Sequence, residues 1–578
     1  MVLGLVVAIA AAALYAHSAG EPAAQSPEEV SERGGEQNTP PVLWWTPAEP
    51  SALVPSPTVF VPTASTIPAT ATPVAPVISL SDAVPGRLAE DLKRLGIVIA
   101  GAEQPAKLTL APAGDDVESA PLRVVWVYAL AAPFPTVQDA ISLADLRKMW
   151  STPNSGVSPG SPLLVSPETE AAVSALWGEP AEGAVSVFPE DALLDEAWKR
   201  RTSWAILPFE DLEPRWKVLR IDGRSPIDEP FDVGGYPLKV TFVAHGQPEA
   251  EAALSTMVPK ERSLITNEDP QGITTVVMTG VTALVRATAY AMETRGLLFP
   301  ARDIHDWLAS ADITHISNEA SFYTDCPYPN PASDLLYFCS RPSYLSLLEY
   351  VGADVVELSG NHNNDVKTYY GADVYGSTLQ LYAEHGMQTF AGGMNIQDAR
   401  KPAIVERNGI RFAFIGCNPA GPPAAWATDN SPGAAFCGDN QWLIDAIRQQ
   451  REQGNLPIVT IQYFENYIDS ALEAEKAFYR QIAEAGALVV NGSQAHTPKG
   501  MEFYHGAFIH YGLGNLFFDQ MQTTATRQEF IDRHVFYGGK EISVELLTAM
   551  LEDYARPRPM TAAERAAFLN SIFKASGW

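Results

Sequence analysis

Four apolar runs in the second half of the chain stop at residues that can move protons or hold metal ions. They are "THISNEASF", "ELSGNHNND", "TIQYFENY" and "VVNGSQAH", and they bring Glu319, Asn361, His362 and His496 just past the end of an apolar segment. Metal-assisted phosphoester hydrolysis draws oxygen and imidazole ligands from several loops and needs a histidine to protonate the leaving group. An Asn-His pair offers an amide oxygen for a metal and an imidazole for the substrate. Taken alone, Asn361 would be a helix cap or turn residue and His362 a structural histidine. Their joint placement with Glu319 and His496 predicts one shared pocket.

The elements that must position these residues follow a strand–helix rhythm from about residue 271. "TTVVMTG", "ITHISNEASF", "ADVVELSG", "LPIVTIQYF" and "ALVVNGS" are apolar runs of strand length. Helical spacing appears between them, in "SYLSLLEYVG", "GSTLQLYAEHG", "QWLIDAIRQQREQG" and "ALEAEKAFYRQIAEAG", with Gly352 and Gly386 as stops. Asn408-Gly409 in "KPAIVERNGIRFAFIG" is a hairpin turn. The pattern predicts an α/β fold of helices layered on sheets, with its site at strand C-terminal ends.

On these motifs residues 271–525 resemble the CapA family, the poly-γ-glutamate capsule biosynthesis proteins. "ADITHISNEASF" follows the family's Asp…Asn-Leu-Glu segment, with Glu319 at the acidic position. "ADVVELSGNHNND" follows its Asn-Asn-His-x-x-Asp motif at Asn361, His362 and Asp365, and "AGALVVNGSQAHTPKGMEFYHGAFIHYGLGNLFFDQ" follows its closing segment through Asn515. The resemblance implies a layered, calcineurin-like metallophosphatase α/β sandwich. It implies His362 as the acid–base residue, Glu319, Asn361 and His496 as metal ligands, and Asp365, Gln462, Glu465, Gln494 and Asn515 around the substrate.

The departures are as informative. Val281 in "MTGVTALVR" stands where the family has an Asp, Gln462 where it has a His, and Gln494 where it has the first His of a pair. Valine coordinates nothing, and glutamine offers only a neutral carbonyl oxygen. The expectation is therefore one weakly held divalent ion, or none, in place of a two-ion centre.

Before this domain, residues 84–240 alternate strand-like and helix-like stretches ("RVVWVYAL", "TVQDAISLADLRKMW", "DALLDEAWKR", "YPLKVTFVAH") and predict a smaller α/β domain. In short patches it resembles periplasmic solute-binding proteins of the phosphate-binding kind. "GQPEAEAALSTMVPKERSLITNEDPQG" is polar and reads as a connector. Residues 526–578 are expected to form a C-terminal helical extension, the end of which, "TAAERAAFLNSIFKASGW", is amphipathic.

Residues 1–20 open with an apolar run that reads as a signal peptide or membrane anchor, or else as a buried helix. Residues 21–83 are rich in Pro and Thr and read as a disordered tether. Four cysteines without C-x-x-C spacing suit an oxidising compartment. Of three connectivities, the local pairing of Cys326 with Cys339 and Cys417 with Cys437 is the simplest.

Across 578 residues, 39 Lys and Arg against 68 Asp and Glu leave a net charge of −29. That balance argues against nucleic acid and makes an anionic ligand dependent on a local positive centre. The expected protein is extracytoplasmic, held at the membrane by its N-terminus, with a cell-envelope polymer or small anionic ligand as partner. Two functions fit: a capsule-polymer assembly protein with a depleted metal site, or a metal-dependent hydrolase or transferase acting on a phosphoester or γ-glutamyl polymer.

Overall fold

A computed structural model describes residues 76–578 apart from 102–103, 114–119, 154–155, 157–161 and 259–263. The N-terminal apolar run and the Pro/Thr-rich stretch up to residue 75 lie outside the described residues. Residues 77–80 were expected to belong to the tether, yet Val77–Leu80 is a strand paired in parallel with Leu108–Ala113. Ile78 and Leu80 side with the sheet's apolar core, and that burial is what local proline content hides.

The first α/β region is organised on the strand Arg123–Pro133, in which ten of eleven residues are buried. It pairs antiparallel with Lys239–Gly246 and Ala205–Pro208. Helix Leu143–Ser151 starts at Ser142, whose hydroxyl accepts from the Asp145 N–H, and Pro167–Trp177 starts the same way at Ser166. The polar stretch expected to be a plain connector is partly structured. Helix Pro248–Met257 buries Ala250 and Leu254, and Leu264–Thr266 joins the same sheet beside Arg123–Pro133.

The second region is a sandwich of two sheets with helices outside. One sheet runs in the order Gln388–Phe390, Ala353–Glu357, Ile313–Asn318, Ile273–Thr279, Gln528–Tyr537, Lys540–Glu552, Arg556–Pro559. The other runs Ala403–Arg407, Ile410–Cys417, Leu456–Ile461, Val489–Gly492, Ala507–His510, Met501–Tyr504. Val276, Val355 and Phe536 of the first meet Phe414, Ile458 and Phe508 of the second in one apolar core. Helix Leu345–Tyr350 covers the outer face of one sheet, and Gln441–Glu452 with Glu473–Glu484 covers the other.

The end of the chain corrects an expectation. Residues 528–559 are strands, and only Ala562–Ala575 is helical. In "QEFIDRHVFYGGKEISVELLTAML" the stretch "EISVEL" after Gly538-Gly539 alternates apolar and polar residues, and the Gly-Gly pair is a hairpin-turn signal. These strands extend the first sheet, so the sandwich continues well past residue 525. The described residues form one compact unit. The first region's core takes in Ile273, Val535 and Ile542 of the sandwich.

Both disulfides are the local ones. Cys326–Cys339 spans 13 residues and Cys417–Cys437 spans 20.

Candidate functional site

In each sheet the central strands run parallel, Ile273–Thr279 with Ile313–Asn318 and Ala353–Glu357, and Ile410–Cys417 with Leu456–Ile461 and Val489–Gly492. Their C-terminal ends therefore open into loops at the same end of the sandwich, the position where parallel sheets hold ligands. Two glycines make the convergence possible. A Cβ at Gly360 would sit 2.8 Å from the Glu319 Cα, and one at Gly280 would sit 2.0 Å from the Gly514 carbonyl oxygen.

The loops bring the sequence-predicted acid, amide and imidazoles near one another. Glu319 is buried, and neither of its carboxylate oxygens has a hydrogen-bond partner among the described residues. Burial pushes its carboxyl above the usual range, while His362 and His496 pull it down and Glu465 and Glu357 push it further up.

Each imidazole is fixed through its Nδ1. His362 Nδ1 lies 2.6 Å from Asp365 Oδ2, which also accepts the Phe338 N–H at 2.8 Å. Burial lowers the His362 pKa, but the Asp365 hydrogen bond and the Glu319 charge outweigh it and leave the imidazole above its ordinary value. The ring packs on Phe338, with centroids 4.0 Å apart. His496 Nδ1 lies 2.8 Å from Asn515 Oδ1, and its Nε2 is 4.0 Å from Glu465 and 3.4 Å from the Gln494 amide nitrogen.

Amides fill the space between. Gln462 donates to Asn361 Oδ1 at 2.9 Å and, through the same nitrogen, to Gln494 Oε1. The row Asn361–Gln462–Gln494–His496–Asn515 is continuous, and Gln462 Oε1 at its middle is a buried acceptor without a partner among the described residues.

Two of the expected substrate contacts make supporting bonds within the protein. Asp365 spends Oδ2 on His362 and on a backbone N–H, so it positions the imidazole. Asn515 is fully buried and donates to the Thr526 carbonyl at 2.9 Å, so it fixes the loop and orients His496. Glu465 is exposed at the rim, hydrogen-bonded by the Tyr467 hydroxyl, whose ring lies parallel to His496. Arg286, nearby, is paired within the protein. Its Nε holds Asp519 at 3.1 Å, and its guanidinium lies between Phe338 and Phe518.

The donor set does not fit a two-ion centre. Val281 supplies nothing, Asn361 Oδ1 is taken by Gln462, and the two glutamines bond to each other. Among the described residues no three His, Cys, Asp or Glu side chains are grouped to hold a metal ion. Of the expected single-ion set, Glu319 and His496 share the hollow, and Asn361 is the committed member.

Sequence reasoning overlooked the layer beneath. Glu357 is fully buried, accepts from Ser493 at 2.7 Å and from Ser359, and lies 3.4 Å from His315 Nε2. Burial raises its carboxyl, but these partners outweigh it and hold the carboxyl below its usual range. It ties the Ala353–Glu357 strand to the loop that carries Gln494 and His496. A glutamate inside the apolar run "ADVVELSG" was the available signal.

Residues 275–520 match the family described as bacterial capsule synthesis protein PGA_cap. The capsule biosynthesis protein CapA of Bacillus anthracis is 24% identical over 232 residues, 39% of this chain and 55% of that protein. The PGA biosynthesis protein CapA of Bacillus subtilis is 24% identical over 196 residues, 34% of this chain and 50% of that protein. The chain thus spans about half the length of the curated relatives it matches. Among solved structures, the NAD nucleotidase of Haemophilus influenzae aligns with a TM-score of 0.26 at 8% identity, over 52% of this chain and 56% of its own.

Proposed function

We propose, from the match of residues 275–520 to the bacterial capsule synthesis protein family and the likeness to the CapA proteins, that this chain serves the biosynthesis or assembly of a capsule polymer of the poly-γ-glutamate type at the cell envelope. The pocket at the strand ends would be its polymer-binding site, working without a tightly held pair of ions. The row of amides from Asn361 to Asn515 is the observation that carries this reading. A γ-linked glutamate chain alternates amide groups with carboxylates. Gln462 Oε1 is a buried acceptor without a partner among the described residues, which an amide N–H entering the site would satisfy. His362, kept protonated to higher pH than an ordinary histidine, is the cation for a carboxylate.

Titration calorimetry of the full chain with poly-γ-glutamate tests this. Saturable binding that weakens about tenfold in Gln462→Ala and in His362→Ala is expected, a loss of about 1.4 kcal/mol in each. No binding, or binding by both variants as tight as by the unmodified protein, would remove the pocket from polymer recognition.

One observation favours a second reading, a hydrolase or transferase acting on a phosphoester or γ-glutamyl bond. His362 with Asp365 behind it and Glu319 beside it has the make-up of an acid–base group. Turnover of a generic phosphodiester or of poly-γ-glutamate that disappears in His362→Ala would decide for it. Unchanged turnover would exclude His362 from any such role.

A further inference from the structure

Away from this pocket, a cavity of about 400 Å³ lies between the first α/β region and the sandwich. That is within the size range of small-molecule sites, about 300–1,000 Å³, and the junction of two folded regions is where such sites concentrate. Phe134 of the first region and Leu546, Leu569 and Phe573 of the second make its apolar wall.

The polar wall is cationic in a protein that carries a large negative excess. Lys217, Arg220, Arg533 and Arg565 line the cavity with only Asp139 and Glu545 as acids. Three of these cations have firm partners. Lys217 Nζ and Arg565 Nη2 hold Asp139 at 2.7 and 2.8 Å, and Arg220 holds Asp228 at 2.6 and 2.9 Å. Arg533 is different. Its Nη2 donates to the Trp307 carbonyl and the Ser310 hydroxyl, but its Nη1 makes no hydrogen bond among the described residues and only faces Glu545 at 3.9 Å. Glu545 in turn accepts no hydrogen bond there and lies 3.7 Å from Arg220. Its carboxyl is pushed up by burial, against the pull of Arg533 and Arg220. Four cations against Asp139, Glu545 and Asp228 leave one positive charge over, beside an apolar wall.

We propose that this cavity binds a monoanion with an apolar body, its anionic head on Arg533 and Arg220 and its body against Leu546, Leu569 and Phe573. A guanidinium nitrogen without an acceptor suits a carboxylate-type head, which can take two N–H bonds at once. The aliphatic and aromatic wall would cover the body. Glu545 is the internal rival of the head group. Neither the family match nor the strand-end pocket assigns anything to this place.

Octanoate is the probe, with octan-1-ol and acetate as controls, titrated calorimetrically into the full chain. Octanoate should bind saturably at one site per chain, with both controls weaker by about tenfold or more. Arg533→Gln should weaken octanoate about tenfold and leave octan-1-ol unchanged, and Leu569→Trp should fill the cavity and abolish the signal. Glu545→Gln should act in the opposite direction and tighten octanoate about threefold, because it removes a competing negative charge. If Leu569→Trp does not fold, Arg533→Gln and Glu545→Gln decide. The proposal is overturned if the unmodified protein gives no saturable octanoate binding, if either control binds as tightly as octanoate, if Arg533→Gln or a folded Leu569→Trp changes nothing, or if Glu545→Gln fails to tighten.

Discussion

Lys499 and Glu475 form an ion pair with side chains only 2% and 1% exposed. The ammonium donates to both carboxylate oxygens at 2.8 Å, and Glu475 accepts one further bond, from the Leu472 N–H at 3.2 Å. The pair joins the first turn of helix Glu473–Glu484 to the loop that carries Gln494 and His496. Lys499→Met would leave a carboxylate in the interior with a single weak donor. Glu475→Gln would leave an ammonium with no counter-charge. Breaking a buried pair from one side costs about 3–5 kcal/mol, whereas replacing both partners by apolar side chains is often close to neutral. Each single variant should therefore lose about 3–5 kcal/mol, and Lys499→Met/Glu475→Leu should recover most of that loss, a strongly non-additive cycle. Urea unfolding of the full chain is the assay, since guanidinium chloride would add the screening that ion pairs are sensitive to. Single variants within about 1 kcal/mol of the unmodified protein, or a double variant equal to the sum of the singles, would show that the pair is solvated or that its loop yields at little cost.

Four further outcomes are expected. Purified protein should contain less than one metal ion per chain by elemental analysis, and Val281→Asp/Gln462→His/Gln494→His should load divalent metal; two tight ions in the unmodified protein would refute the account of the donor set. Asp365→Asn should move the His362 titration, followed by ring NMR, to lower pH. The His362 pKa is raised in the folded chain, so its contribution to stability is full below the unfolded histidine value and lost as pH rises through the folded value, and Asp365→Asn should flatten that loss. Cys417→Ala/Cys437→Ala should lower stability by about 3 kcal/mol, from the chain entropy of its loop, in a denaturation series against the unmodified protein. Burial pushes the Asp139 carboxyl up, but Arg565 and Lys217 outweigh it and hold it at about 2. Its contribution is thus present above its unfolded value of 3.8 and lost as pH falls toward about 2, and Asp139→Asn should remove that part of the acid transition.

The strand–helix rhythm was legible because buried parallel strands leave uninterrupted apolar runs, and the strand-end residues were legible because polar types break those runs abruptly. The hairpin in residues 528–559 was partly legible as well, through Gly538-Gly539 and the alternation of "EISVEL" after it, against the expectation of a helical tail. Other features lay beyond any local signal. Pro-rich sequence around residue 77 gives no sign that Ile78 will be buried, since that depends on the Leu108–Ala113 strand some thirty residues away. Which way an amide faces is harder still. Gln462 and Gln494 could be read as lost metal ligands, because glutamine coordinates poorly. That they bond to each other, and so leave Asn361 engaged and Gln462 Oε1 without a partner among the described residues, depends on two loops meeting from neighbouring strands. Residue types at strand ends therefore located the pocket, but what the pocket offers a ligand is set by pairings between loops. The consequence for function is direct. Where the family resemblance has two histidines, two glutamines viewed one at a time weaken an ion site, while viewed together they are a buried, mutually bonded amide pair, which the proposed function assigns to recognition of a chain of amides.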